Sequence, residues 1–353
     1  MSPLAPRGTS MTDPEKLGGF KVLKEAVRLS PDPFEPDRRL PVTVFRVLAE
    51  HEINLPYVTC VLEAPGRWRV DMVVDFKDKQ AAHRLLSKTL HKSPDQQPAA
   101  AILSIFPHRK KPAIAGALFE AFGREDIHPE GIAHSPSAIS AIVAEQELLQ
   151  AGSALFGQFS FGAYRTPADW KLAQKGKEKR YKEVVASYQE KHPKVYGLEY
   201  QDRQELLHIT LKPSYMKALG AAFEGISRNG LDLTFLVASH SRTRAGSIDL
   251  CLPLTKRGSN RKIIAHAINP SQIETDGPVG TFSMNGPHFG DRYGIVRDLL
   301  NALETAGVDL MGLSCTIASV TGVVPSSQLS RTIKAIRNCF DVPSILKTDR
   351  EYG

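Results

Sequence analysis

The sequence predicts an α+β fold of four repeated units arranged as two pairs, with a basic helical segment inserted between the second and the third. Three observations predict it: a spacing of apolar residues that recurs four times, the uneven intervals between the recurrences, and one concentration of positive charge. The spacing is +3, +5, +2, in Phe45, Leu48, Ile53, Leu55; Phe119, Phe122, Ile127, Pro129; Phe223, Ile226, Leu231, Leu233; and Leu300, Leu303, Val308, Leu310. The first two residues of each set lie one helical turn apart and the last two alternate, so each set reads as a helix, a short polar turn and a strand. Gly230 and Gly307 stand in two of these turns, where glycine accepts the left-handed conformation that ends a helix.

The opening of the chain, rich in Pro, Gly and Ser, predicts a disordered N-terminus over residues 1–17, with Met1 or Met11 as the start. The first unit is expected over 18–97 and the second over 98–164. The intervals between first anchors are 74, 104 and 77, so the middle one carries an excess of about 30 residues. That excess coincides with Arg165 to Lys194, where nine basic residues stand against four acidic ones in a chain whose net charge is +7. Residues 165–204 are therefore expected to be an insertion. Its Pro167-Ala168-Asp169-Trp170 opening reads as the start of a solvated helix over about 168–190, outside the sheets because its charge opposes deep burial.

The third unit is expected over 205–276 and the fourth over 277–353. The fourth reads most fully: a strand over Thr281 to Asn285, a helix over Tyr293 to Ala306, strands over Asp309 to Cys315 and Ala318 to Val324, and a helix over Ser327 to Phe340. The units also pair off. At an offset of 181, Gly131, Ile132, Ser135, Ile139, Ile142 and Val143 fall on Gly312, Leu313, Thr316, Val320, Val323 and Val324. At an offset of 178, Val70-Asp71-Met72-Val73-Val74 falls on Ile248-Asp249-Leu250-Cys251-Leu252. A duplicated pair, (1+2) and (3+4), is the simplest history.

Composition sets the outer limits. With 42% hydrophobic and 24% charged residues in 353, the chain can build a well-covered core. No apolar run approaches the roughly 18 residues of a membrane span, and no signal-peptide core is present, so a cytoplasmic location and no membrane partner are expected. Cys60, Cys251, Cys315 and Cys339 are scattered without a Cys-x-x-Cys pair, which argues against a disulfide framework or a zinc site.

The fourth unit carries Gly290-Asp291-Arg292-Tyr293-Gly294-Ile295-Val296, then Leu299-Leu300-Asn301-Ala302-Leu303, then Ala306-Gly307-Val308-Asp309-Leu310. This sequence resembles the ACT domain, whose helix often starts D-R-P-G-I-V; Tyr293 stands here in place of the proline. The second unit, Ile114 to Val143, resembles the regulatory ACT domains of aspartate kinases, with His134-Ser135-Pro136-Ser137-Ala138-Ile139-Ser140 in the place of their Ser/Thr-rich turn. The resemblance implies ferredoxin-like βαββαβ units and binding of small ligands, usually amino acids, at the interfaces of paired domains. It covers about residues 20–350 apart from the insertion.

A loop that runs into a helix N-terminus offers unpaired N–H groups and the positive end of the helix dipole, which suits a carboxylate. The candidate ligand residues are thus Gly290, Asp291, Arg292, Tyr293, Gly294 and Ile295. Asp291 would take an ammonium, or cap the helix, and Arg292 a carboxylate. The cationic loop of the second unit adds Arg109, Lys110 and Lys111, and the hairpin turns add Ser135, Ser137, Thr316 and Ser319, with turn chemistry as the alternative.

No phosphate loop, Gly-x-Gly-x-x-Gly, His-Glu-x-x-His or Gly-x-Ser-x-Gly motif is present, and the Lys-Phe-Gly-Gly-Thr-Ser start of an aspartate kinase catalytic domain is missing. Ser239, His208, His240 and Asp249 are the residues from which a Ser/His/Asp site could be assembled. The expectation is a non-enzyme without cofactor or metal: a stand-alone regulatory protein that senses an amino acid at unit interfaces and modulates a partner protein, with a homodimer compatible. The alternative is an interaction scaffold whose basic helix binds an acidic protein or, less in keeping with the rest, nucleic acid.

Overall fold

The computed structural model describes residues 15–32, 35–106, 110–162, 164–174, 193–211, 216–239, 246–254, 259–267, 273–286, 289, 292–316 and 319–348. The N-terminal half runs β1 (Glu15–Leu17), β2 (Gly19–Ser30), α1 (Leu40–Glu50), β3 (Tyr57–Ala64), β4 (Arg67–Asp75), α2 (Lys79–Leu90), β5 (Asp95–Phe106), α3 (Pro112–Arg124), β6 (Gly131–His134), β7 (Ile139–Ala144), α4 (Leu148–Leu155) and β8 (Phe159–Phe161). After α5 (Pro167–Gln174) the C-terminal half runs β9 (Gly197–Leu211), α6 (Met216–Arg228), β10 (Phe235–Ser239), β11 (Gly246–Pro253), α7 (Ser259–Ala267), β12 (Ile273–Asn285), α8 (Ile295–Thr305), β13 (Gly312–Cys315), β14 (Ser319–Pro325), α9 (Leu329–Cys339) and β15 (Ile345–Lys347).

Strand order within the halves is the same. The first half pairs as β3-β4-β2-β5-β7-β6 and the second as β10-β11-β9-β12-β14-β13, all antiparallel. The edge strands then join, β3 to β13 and β6 to β10, so twelve strands close into a ring. The ring is flattened into two layers. On the outside, one core unites α1 and α2 with α8 and α9, and a second unites α3 and α4 with α6 and α7. Inside, the layers meet through smaller apolar clusters around Tyr57 and Val73 and around Phe235 and Val323. The fold is therefore mixed α/β with a large antiparallel sheet, and no helix among the described residues is long and apolar enough to cross a membrane.

Helix positions follow the apolar anchors. α8 buries Ile295, Val296, Leu299, Leu300 and Leu303, one face at helical spacing, and α1 opens with Pro41 in its first turn, where a missing N–H costs nothing.

The positions 97/98, 204/205 and 276/277 lie within β5, β9 and β12, long strands that pair on both sides. Residues 15–17, expected to be disordered, form β1 and pair in parallel with β8; residues 1–14 lie outside the described residues. Of residues 165–204, the stretch 165–174 with α5 and the stretch 193–204 with the start of β9 are described. Trp170 is 1% exposed and packs on Phe20 and Gly152, so the start of the insertion is anchored in a core despite its charge. The apolar indole outweighs the charges around it, which can reach water from the same turn. Tyr181 and the remainder of the helix expected to 190 lie outside the described residues.

Candidate ligand-binding site

The outer faces of the two layers each hold a pair of antiparallel helices, α1 with α8 and α3 with α6, and the pairs differ at one position. Three residues before the apolar anchor stand Val42 in α1, Gly116 in α3, Gly220 in α6 and Arg297 in α8. The two glycines let α3 and α6 touch: a Cβ on Gly116 would lie 2.8 Å from the Gly220 carbonyl oxygen, and Phe119 and Phe223 stack with centroids 5.5 Å apart. Gly116→Val should cost about 1–3 kcal/mol, read as a lowered urea midpoint, because the helices must separate to admit the side chain.

Between α1 and α8, where Val42 and Arg297 stand at those positions, lies a solvent-open depression with about 10 Å³ of enclosed room, space for about one water. Phe45 and Ala49 of α1, Ile53, Leu55, Phe289 and Cys315 supply its apolar wall. Arg292, Tyr293, Gly294 and the first turn of α8 supply the polar side. Gly294 stands at the N-cap of α8 at φ +86° and brings no side chain to the first-turn N–H groups. A left-handed residue is needed there, and glycine takes that conformation without strain.

Ties at both ends fix the cleft. Arg39, before α1, pairs with Glu304 of α8 at 2.8 Å, and the Tyr293 hydroxyl donates to Glu52, just after α1, at 3.1 Å. Burial pushes the Cys315 thiol up to about 12, so it contributes a neutral wall and no nucleophile.

The structure thus brings Arg292, Tyr293, Gly294 and Ile295 to one cleft. Gly290, Asp291 and Arg109 lie outside the described residues. Lys110 and Lys111 pair with Glu199 at 2.6 Å and Glu15 at 2.7 Å. The four hairpin hydroxyls meet one another: Ser135 Oγ lies 3.0 Å from Thr316 Oγ1, and Ser137 Oγ lies 2.7 Å from Ser319 Oγ. Ser135, Thr316 and Ser319 are fully buried there, and the cluster joins the β6–β7 and β13–β14 turns across the ring interior. Ser239 donates to Asp71 while His208 pairs with Asp249, so among the described residues Ser239 and His208 do not form a Ser/His/Asp arrangement; His240 lies outside them. The α1 side of the cleft was missed, although Phe45, Ile53 and Leu55 are repeat anchors; nothing in their spacing shows which helix faces which.

The comparisons were made against this geometry. No family model and no curated protein matches the sequence. Among solved structures the chain is similar to aspartate kinase from Synechocystis, with a TM-score of 0.73 at 13% identity over 99% of this chain and 60% of that one. It also matches the ligand-free regulatory subunit of aspartate kinase from Thermus thermophilus, with a TM-score of 0.38 at 22% identity over 41% of this chain and all of that one. Escherichia coli aspartokinase III in complex with lysine and aspartate matches at 0.33 and 15% identity, over 42% of this chain and 34% of that one.

The first match gives the chain the fold found in an aspartate kinase, and the chain spans 60% of that enzyme's length. It also overturns the expectation of a non-enzyme, since nearly the whole chain follows the fold of an enzyme chain. Missing phosphate-loop and nucleophile motifs exclude particular site chemistries; they do not separate an enzyme's fold from a non-enzyme's.

Proposed function

We propose that this chain is the amino-acid-sensing portion of an aspartate-kinase-like enzyme, built of four ferredoxin-like ACT units in two pairs, and that the α1/α8 cleft takes the ligand. The observation that carries the reading is the contrast between the helix pairs: α3 and α6 touch at Gly116 and Gly220, whereas α1 and α8 keep a solvent-open depression that ends on the N-terminus of α8. The fourfold order strand, helix, strand, strand, helix supports the four units, and the fold shared with the Synechocystis enzyme supports the link to kinase regulation. A ligand carboxylate would meet the first N–H groups of α8 and Arg292. Its ammonium would meet Asp291, or Glu52 from across the cleft.

Thermal unfolding with each of the twenty amino acids tests the proposal. A ligand present at a hundred times its Kd should stabilise the protein by about 2.7 kcal/mol. Arg292→Ala and Asp291→Ala should each weaken the titrated affinity by about ten-fold or more, since a charge-assisted hydrogen bond contributes about 1.5–3 kcal/mol. No stabilisation and no binding heat with any amino acid would sink the sensing role.

A further inference from the structure

Where the two layers of the ring face each other, two aspartates hold the halves together. Asp71 of β4 and Asp249 of β11 stand at the positions related by the 178-residue offset, 1% and 2% exposed. Each binds a cation on the first strand of its own unit and a donor from the other half. Asp71 pairs with Arg28 of β2 and accepts from Ser239 of β10 at 2.8 Å. Asp249 accepts from Arg69 of β4 at 2.9 Å and lies 2.6 Å from Nδ1 of His208 on β9. The cation on Asp71 is thus a permanent one, whereas Asp249 has an imidazole directly opposite it on β9, at the position that Ser30 holds in the first half.

His208 has a second partner: its Nε2 lies 3.2 Å from Asp276 of β12, at the point where the β9–β12 register breaks between Asp276 and Val279. Only the imidazolium can donate from both nitrogens; the neutral ring has one N–H. We propose that His208 is a proton-operated latch, which when charged ties β9 to both β11 and β12 and when neutral releases Asp276, loosening the β9–β12 seam beside the bulge. Asp276 is the partner released because it is the longer contact and 55% exposed, whereas Asp249 is buried and also bound to Arg69.

The other charged groups facing the ring are Glu274, directly opposite on β12, and, behind Asp249, Arg69 with its second partner Glu63 of β3. Burial works against the imidazolium, but the two aspartates outweigh it, and the His208 pKa lies above its ordinary value. The sign follows: the tie is complete below about pH 6.5, the ordinary histidine value, and is lost as pH rises through the higher folded-state value.

Histidine-resolved NMR titration and amide exchange between pH 6 and 9 test the latch in the whole protein. The His208 midpoint should lie above about 6.5. After correction for intrinsic rates, protection over 206–209 and 273–276 should fall with rising pH by about ten-fold per unit of that elevation. Asp276→Asn, at an exposed site, should lower the midpoint, and His208→Gln should abolish the pH dependence of the seam. An ordinary midpoint unmoved by Asp276→Asn, or the same pH profile over 273–276 in wild type and His208→Gln, would overturn the proposal.

Discussion

Asp71→Ala should destabilise the protein by about 3–5 kcal/mol, among the largest effects of any single change to a polar residue in this chain. The carboxylate it removes is the partner of Arg28, whose side chain is 3% exposed, and the guanidinium would be left without its nearest counter-charge. Burial favours loss of the Arg28 proton, but Asp71, followed by Glu130, outweighs it and leaves the pKa raised. Glu130 at 3.7 Å and Asp95 at 3.5 Å remain within ion-pair range, which places the expected cost near the lower end. Urea unfolding would measure it. The double replacement Arg28→Met with Asp71→Leu should recover part of the loss, because it leaves no buried guanidinium, while Glu130 loses its cation and Ser239 its acceptor. A loss under about 1 kcal/mol for Asp71→Ala would mean that the other carboxylates suffice.

Gly322→Val should be comparably damaging for a steric reason. Gly322 lies opposite Phe282 in the β12–β14 ladder, and the ring covers it so closely that a Cβ would fall 2.3 Å from a ring carbon. Phe282 is 1% exposed and belongs to the α1/α8 core, so it has no room to turn away. Overpacking of this kind costs about 1–3 kcal/mol, and the branched side chain puts Gly322→Val at the top of that range. Calorimetry should show Gly322→Ala partly rescued by Phe282→Leu. Additive losses in that pair would show that the clash is relieved elsewhere.

What could be read from the sequence was local. The 181-residue offset carries Gly131–His134 onto Gly312–Cys315 with the same bounds, because strand length and turn chemistry are set by neighbouring residues. The helix expected over 293–306 forms over 295–305. Edge pairing was not legible: β3 joins β13 and β6 joins β10 through backbone hydrogen bonds, which leave no mark on side-chain pattern. The hydroxyls of Ser135, Ser137, Thr316 and Ser319 were picked out, but not their contact with one another, which depends on how the layers face. Asp71 and Asp249 were visible only as matched letters in two hairpins. An acid amid apolar neighbours, repeated at the same place in two strands, is itself a sign of a buried ion pair.

The two joints that close the strand ring are of one kind. In each, one end of a half's strand order meets the opposite end of the other's, β3 with β13 and β10 with β6. Because the halves share one strand order, a twofold rotation would exchange both joints at once. The two halves are thus laid out as the subunits of an isologous dimer would be. Two separate copies of one half must keep their two helix interfaces identical, since a single sequence writes both. Two halves written in one chain are free of that constraint: one interface carries Gly116 and Gly220 and closes, and the other carries Val42 and Arg297.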